Sequence, residues 1–251
     1  MKIQKKYRYL SIILIFICSW SSAQESQYQF EWMKIPVAQL LIKINKYSSQ
    51  NNEAKPTDIR FNLNTQGPLK LYRNYSSEVR LRINTIDSWD YYLTGIDRGQ
   101  PEEKAIKYFV NKAPIIKKFI DDDGVLPINI DIELDKHSVD PFSVLLGTIE
   151  QLISEQRCKN EFSVMDGKRR YRVIVDQLDK KNELKKENTT KRIIYVCKYS
   201  FSNLQEEPRK WPFNNRNRSF IIWFASDLDY KPMRMYFKTP IGDVIGRLIT
   251  E

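Results

Sequence analysis

The densest run of ionisable side chains with regular spacing is Asp131, Glu133, Asp135 and His137, the last being the one His of the chain. Read as a strand over residues 128–134 and its continuation, the segment puts all four on one face and Ile130, Ile132 and Leu134 on the other. Three carboxylates and an imidazole are the chemistry of a metal site or an acid–base pair. The spacing argues against it. Same-face neighbours on a strand lie about 6.6 Å apart, too far to share one ion without help from another strand. The expected reading is a solvated face paired with cross-strand Lys or Arg. Asp121, Asp122, Asp123 and Gly124 give the start of a calcium loop without its alternating ligands or terminal Glu, which leaves a solvated turn. Arg209, Lys210, Trp211, Pro212 and Phe213, followed by Arg216 and Arg218, interleave cations with aromatics. That chemistry grips an anionic headgroup or stacks on sugar rings, unless the aromatics of a long hairpin loop tuck onto the fold. Asn74, Asn188 and Asn217 begin glycosylation sequons, at a frequency chance supplies in an Asn-rich chain. No nucleophile elbow, P-loop or dinucleotide fingerprint is present. The sequence therefore offers no catalytic residue, no metal site and no cofactor, and points away from an enzyme.

The N-terminus carries an address. Lys2, Lys5, Lys6 and Arg8 precede the apolar run Leu10 to Cys18, and Ser21, Ser22 and Ala23 supply small residues before Gln24. This is the pattern of a secretory signal over residues 1–23; the run is about half of what a membrane-spanning helix needs. The competing readings are an uncleaved anchor and a lipoprotein acylated at Cys18, the latter disfavoured by Ile17 where a small residue belongs. Four of the 41 basic residues and none of the 31 acidic ones lie in the segment, so removing it lowers the formal charge from +10 to +6. The remaining chain, 24–251, is mildly basic with mixed charges. That suits an envelope rich in anionic lipid and polysaccharide and excludes nucleic acid as the expected partner. Export, to the periplasm or cell envelope, also means an oxidising compartment, where the two remaining cysteines, Cys158 and Cys197, are expected to pair. Two separate buried thiols are the alternative.

The elements that must position these residues are mostly strands. Alternation of apolar and polar residues recurs through 28–33, 58–65, 77–85 and 89–93, with further runs at 37–47, 104–109, 114–120, 128–134, 160–165, 168–178, 191–201, 219–225, 233–237 and 244–249. Asp166-Gly167 reads as a two-residue hairpin turn with both residues at positive φ, and residues 180–191 as a long charged loop. One segment breaks the period: 140–155 has apolar residues at 142, 145, 146, 149, 152 and 153, with Asp140 as cap and Pro141 in the first turn. The prediction is mainly β, one domain, a single curved antiparallel sheet forming an open β-barrel or β-spiral of about twelve strands, with one covering α-helix laid on it. Cys158 and Cys197 would lie on strands two places apart in a simple meander, beyond disulfide reach. Their pairing therefore requires Cys158 to sit off the ladder, in the connection after the helix.

The ordered series Asp140-Pro141-Phe142-Ser143, Leu145-Leu146, Cys158, Asp166-Gly167, Tyr171, Cys197, Trp223, Asp227, Pro232 and Thr239-Pro240-Ile241-Gly242 resembles the exported bacterial "domain of unknown function 3108" family, as does the early Ile35-Pro36-Val37. The match covers roughly residues 28–250 and departs from the family pattern in the charged stretch 180–191 and the basic loop 209–218. The resemblance implies a periplasmic β-rich protein and carries no reaction and no catalytic residue.

The functional expectation is a non-catalytic binding protein for a lipid-like or amphipathic ligand. Its cleft would be lined by Trp32, Trp89, Tyr91 and Trp223 and covered by Phe142, Leu145 and Leu146. The alternative is a polysaccharide- or protein-binding envelope scaffold in which the same residues make a filled core. In neither case does the processed chain reside in the membrane as an integral protein.

Overall fold

The computed structural model describes residues 24–46, 57–85, 87–121, 124–184, 191–204, 218–239 and 242–250. Thirteen strands form one antiparallel sheet in the order β7-β6-β5-β4-β3-β2-β1-β13-β12-β11-β10-β9-β8. They are β1 (Gln24–Trp32), β2 (Ile35–Lys46), β3 (Thr57–Thr65), β4 (Tyr75–Thr85), β5 (Ser88–Asp97), β6 (Gln100–Phe109), β7 (Ile115–Ile120), β8 (Asn160–Met165), β9 (Arg170–Leu184), β10 (Lys191–Asn203), β11 (Arg218–Ala225), β12 (Pro232–Thr239) and β13 (Gly242–Thr250). The sheet is thus two meanders, β1–β7 and β8–β13, joined where the first and last strands pair from Gln27↔Thr250 to Trp32↔Val244. Strands β7 and β8 are left as edges, and the sheet curls without closing its hydrogen-bond ladder.

Three helices complete the described chain: α1 (Gly67–Tyr72), α2 (Ile132–Asp135) and α3 (Pro141–Glu155). The mainly-β, open-barrel expectation holds, with thirteen strands in place of about twelve. The period-2 signal works because it is written in burial: in β4 Ser77, Val79 and Leu81 are buried while Ser76, Glu78 and Arg82 are exposed.

Three local expectations are corrected. Residues 128–134 are not a strand. Asp131 caps the short helix α2, its Oδ1 accepting from the N–H groups of Glu133 and Leu134 at 3.0 Å each, and the cap defeats the alternation. Asp166-Gly167 is not a two-residue turn: Met165 pairs with Arg170, and only Gly167 takes a positive φ, 84°. Asp166 instead accepts from the N–H groups of Lys168 and Arg169 at 2.9 and 2.7 Å. Residues 180–184, read as loop, extend β9, paired from Lys180↔Tyr195 to Leu184↔Lys191; residues 185–190 lie outside the described residues. The covering helix is α3: from Pro141 to Ile153 none of its residues is exposed, five being buried and eight half-buried.

Candidate functional site

The interior is organised around α3. Asp140, fully buried, is its N-cap: one carboxylate oxygen accepts from the N–H groups of Phe142 and Ser143 at 2.9 and 3.0 Å. The other accepts from the Trp89 indole N–H at 2.7 Å and from the Ser143 hydroxyl. Burial raises the Asp140 pKa against these stabilising bonds. The other end is fastened covalently. Cys158 and Cys197 form a disulfide with Cα atoms 6.0 Å apart. Cys158 lies between α3 and β8, off the ladder, and its N–H donates to Gln177 Oε1 at 3.3 Å. Gln151 also grips the connection, accepting from the Lys159 N–H at 2.8 Å and donating to its carbonyl at 2.9 Å.

Around the helix the space is taken by aromatic and branched side chains. Trp89 stacks on Tyr108 with ring centroids 5.5 Å apart, and Tyr91 meets Tyr108 edge-on at 6.4 Å. Burial pushes both tyrosines well above the ordinary phenol range, which keeps them neutral. Phe142 packs on Phe61 at 4.3 Å. The cleft left between α3 and strands β1–β3 has a volume of about 50 Å³. Its walls include Leu145, Leu146 and Ile149 of the helix and Tyr28, Ile42 and Phe61 of the sheet, and its polar lining includes Gln24, Ser26 and Lys231.

The residues proposed to line a ligand cleft therefore divide. Leu145 and Leu146 line the small cleft beside α3. Trp89 and Tyr91 are core residues, Phe142 is packed against that core, and Trp32 is half-buried against the other half of it. Trp223 is misplaced by the expectation: it sits between buried Ile222 and Phe224, hence on the outer face of β11. There the exposed Arg234 guanidinium lies 5.0 Å from its ring centroid. Its aromatic character suggested an interior position, but the pairing register decides.

The candidate acid–base run also disperses. Asp131 is a cap. Asp135, fully buried, pairs with Arg170 Nε and Nη2 at 2.6 and 2.7 Å. His137, exposed, has Nδ1 3.4 Å from the Val110 carbonyl oxygen. No group of three or more potential metal ligands occurs among the described residues. Asp121 is buried and bound by Lys168 Nζ at 2.7 and 2.9 Å; Asp122 and Asp123 lie outside the described residues. So do the cations and aromatics of 209–217, leaving only Arg218 at the start of β11.

These ion pairs belong to a seam that replaces the missing β7–β8 ladder. The turn Asp166–Arg169 inserts against β6 and β7: the Ile128 N–H donates to the Gly167 carbonyl at 2.9 Å, and the Tyr108 hydroxyl donates to the Met165 carbonyl at 2.5 Å. A Cβ at Gly167 would stand 3.0 Å from Ile106 and 3.1 Å from Phe119. On the far side Val139 covers the β8 edge as a parallel bridge to Val164.

One group was invisible in the sequence. Glu150 of α3 is 6% exposed, and neither carboxylate oxygen has a hydrogen-bond partner among the described residues. Burial raises its pKa from 4.5 to about 8. The sequence signal was present only as a charge beside the apolar positions 146, 149 and 153.

The family model described as "Protein of unknown function (DUF3108)" matches residues 27–248, and the chain belongs to that family. A comparison with curated proteins finds no match. Among solved structures the chain is similar to a β-barrel-like protein of domain of unknown function DUF1849 from Brucella abortus, with a TM-score of 0.57 and 9% identity over 91% of this chain and 96% of that one. At that identity the likeness concerns the fold alone.

Proposed function

We propose that this member of the DUF3108 family is an exported, non-catalytic protein of the cell envelope that works from its outer surface, around a barrel whose interior is filled. The observation that carries the reading is the packing of α3 against the sheet, which leaves a cleft of about 50 Å³. Small-molecule sites are commonly about 300–1,000 Å³. A scaffold of this kind presents polysaccharide- or protein-binding surfaces on a rigid body. The signal-like segment 1–23 and the disulfide support an oxidising, extracytoplasmic address.

A second reading rests on a separate observation. The α3 cleft has mostly apolar walls with Gln24, Ser26 and Lys231 among its polar groups, which is the pattern that receives an amphipathic ligand. It would have to widen to take an acyl chain. Native mass spectrometry of the chain from a periplasmic extract, made without detergent, separates the two. A bare mass corresponding to residues 24–251, lighter by two hydrogens than the reduced form, is expected. Additional mass removed as lipid by organic solvent would overturn the filled-barrel reading and install the amphipathic one, and a mass retaining residues 1–23 would refute processing at Ala23.

A further inference from the structure

Three turns stand side by side on one rim of the sheet: Met33–Lys34 between β1 and β2, the α1 turn between β3 and β4, and Arg98–Gly99 between β5 and β6. Alternate hairpins of a meander are spaced by two strand separations, about 9–10 Å, and here they are tied together. The Gln66 N–H donates to the Val37 carbonyl at 2.7 Å, and the Arg98 N–H donates to the Asn74 carbonyl at 3.1 Å. Arg73 Nε donates to Asp97 at 2.9 Å. Leu69 of α1 packs on the core. The rim is therefore rigid, yet it directs its largest apolar side chains into solvent: Leu71 is 94% exposed, Tyr72 88%, Met33 74% and Ile35 43%.

The charge on these three turns has one sign. Residues 33–34, 66–74 and 98–99 contain Lys34, Lys70, Arg73 and Arg98 and no Asp or Glu; Asp97, which borders them, is bound by Arg73 and lies 3.8 Å from Arg98 Nε. The N-terminal strand also begins at the opposite end of the sheet, since Gln24 pairs with Ile44 while Trp32 pairs with Ile35. Gln24, the first described residue, thus lies far from this face.

We propose that this rim is a membrane-docking face. Leu71, Tyr72 and Met33 enter the interfacial zone of a bilayer, and Lys34 and Lys70 meet the phosphates of anionic lipids. Apolar side chains flanked by cations are complementary to such a surface, where insertion and electrostatic attraction add. The inference rests on the reading of the chain as a filled, surface-acting envelope protein, and names the surface and its partner. Docking is peripheral: no helix among the described residues is long and apolar enough to cross a membrane.

The test is flotation of the expressed chain, its N-terminus fixed by intact mass, with vesicles of phosphatidylcholine alone or mixed with phosphatidylglycerol. Binding to the anionic vesicles is expected, weakened by salt and at least about tenfold weaker on phosphatidylcholine alone. Leu71→Ser/Tyr72→Ser should lower the affinity about tenfold or more, with melting temperature unchanged because both side chains are exposed. Lys34→Glu/Lys70→Glu should abolish the preference for anionic lipid. Failure of the wild type to float with anionic vesicles, or equal flotation of the Leu71/Tyr72 variant, overturns the proposal. So does a concentration-dependent dimer lost in that variant, which would assign the rim to a second copy of the chain. Native mass spectrometry of the same protein before any vesicle is added keeps the two readings apart: retained lipid would refute the filled barrel whatever the flotation shows, whereas a bare mass with no flotation would refute only the docking face.

Discussion

Replacing Glu150 by Gln should stabilise the protein, by an amount that depends on pH. The carboxyl titrates at about 8 in the folded chain against 4.5 as its ordinary value. Below pH 4.5 it is neutral whether the chain is folded or not, and contributes nothing to the pH dependence. Between 4.5 and 8 the unfolded chain releases the proton that the folded chain retains, so stability falls as pH rises; above 8 the loss is constant. At about 1.4 kcal/mol per pKa unit, the loss is about 3 kcal/mol at pH 7 and about 1 kcal/mol at pH 5. With Glu150 at 6% exposure, solvent screening does little to reduce it. Gln keeps the shape and the neutral polar burial but cannot ionise in either state. For a chain of this size about 1 kcal/mol moves the melting temperature by about 2–4 °C. The variant should therefore melt about 6–12 °C above the wild type at pH 7 and about 2–4 °C above it at pH 5. Asp140, also raised by burial, is common to both proteins and cancels in the difference. Thermal melts of the two proteins from pH 5 to pH 8 make the comparison. A melting-temperature gap that stays flat over that range would refute the reasoning and would mean that Glu150 finds solvent or a partner in solution.

Two further outcomes follow from the way the barrel is fastened. Cys158→Ser/Cys197→Ser releases a loop with a sequence separation of 39; the chain-entropy model gives about 4 kcal/mol, and a melting temperature as high as that of the oxidised wild type would contradict it. Asp121→Ala should destabilise by about 3–5 kcal/mol by removing the carboxylate that binds the buried Lys168 ammonium, whose side chain is 10% exposed. Adding Lys168→Met should restore most of that loss in chemical denaturation, whereas additive losses would show that the pair does not act as a unit.

Much of the fold is legible because an antiparallel strand writes its burial into alternate residues. Segments 58–65 and 77–85 did so, and pairing followed from succession along the chain. The helix was legible for the same reason at a different period, but how little space it leaves beside the sheet was not. Periodicity reports which residues avoid water, and Leu145, Leu146 and Ile149 would look alike beside a wide cleft and beside a narrow one. Misreadings arose where a side chain bonded to the local backbone. Asp131 turned an alternating run into a capped turn of helix, and Asp166 turned a two-residue hairpin into a wider one. Trp223 shows a third limit: between Ile222 and Phe224 no residue type identifies the inward face, and only the register with β10 and β12 assigns it.

The edges explain why the acidic residues that looked chemical are structural. A sheet of thirteen strands that does not close leaves β7 and β8 with unpaired backbone groups, an invitation to pair with another chain. The chain between those strands answers this in sequence order. Asp121 binds Lys168, Asp135 binds Arg170, and Val139 covers β8 before Asp140 starts the covering helix. Each carboxylate sits where a long connection must be held against a strand end, and each is matched to a cation or a helix start. Glu150 lies further along the same connection and has neither among the described residues. It stands out from that pattern, and substituting it is the change that would separate what the seam requires from what the fold merely tolerates.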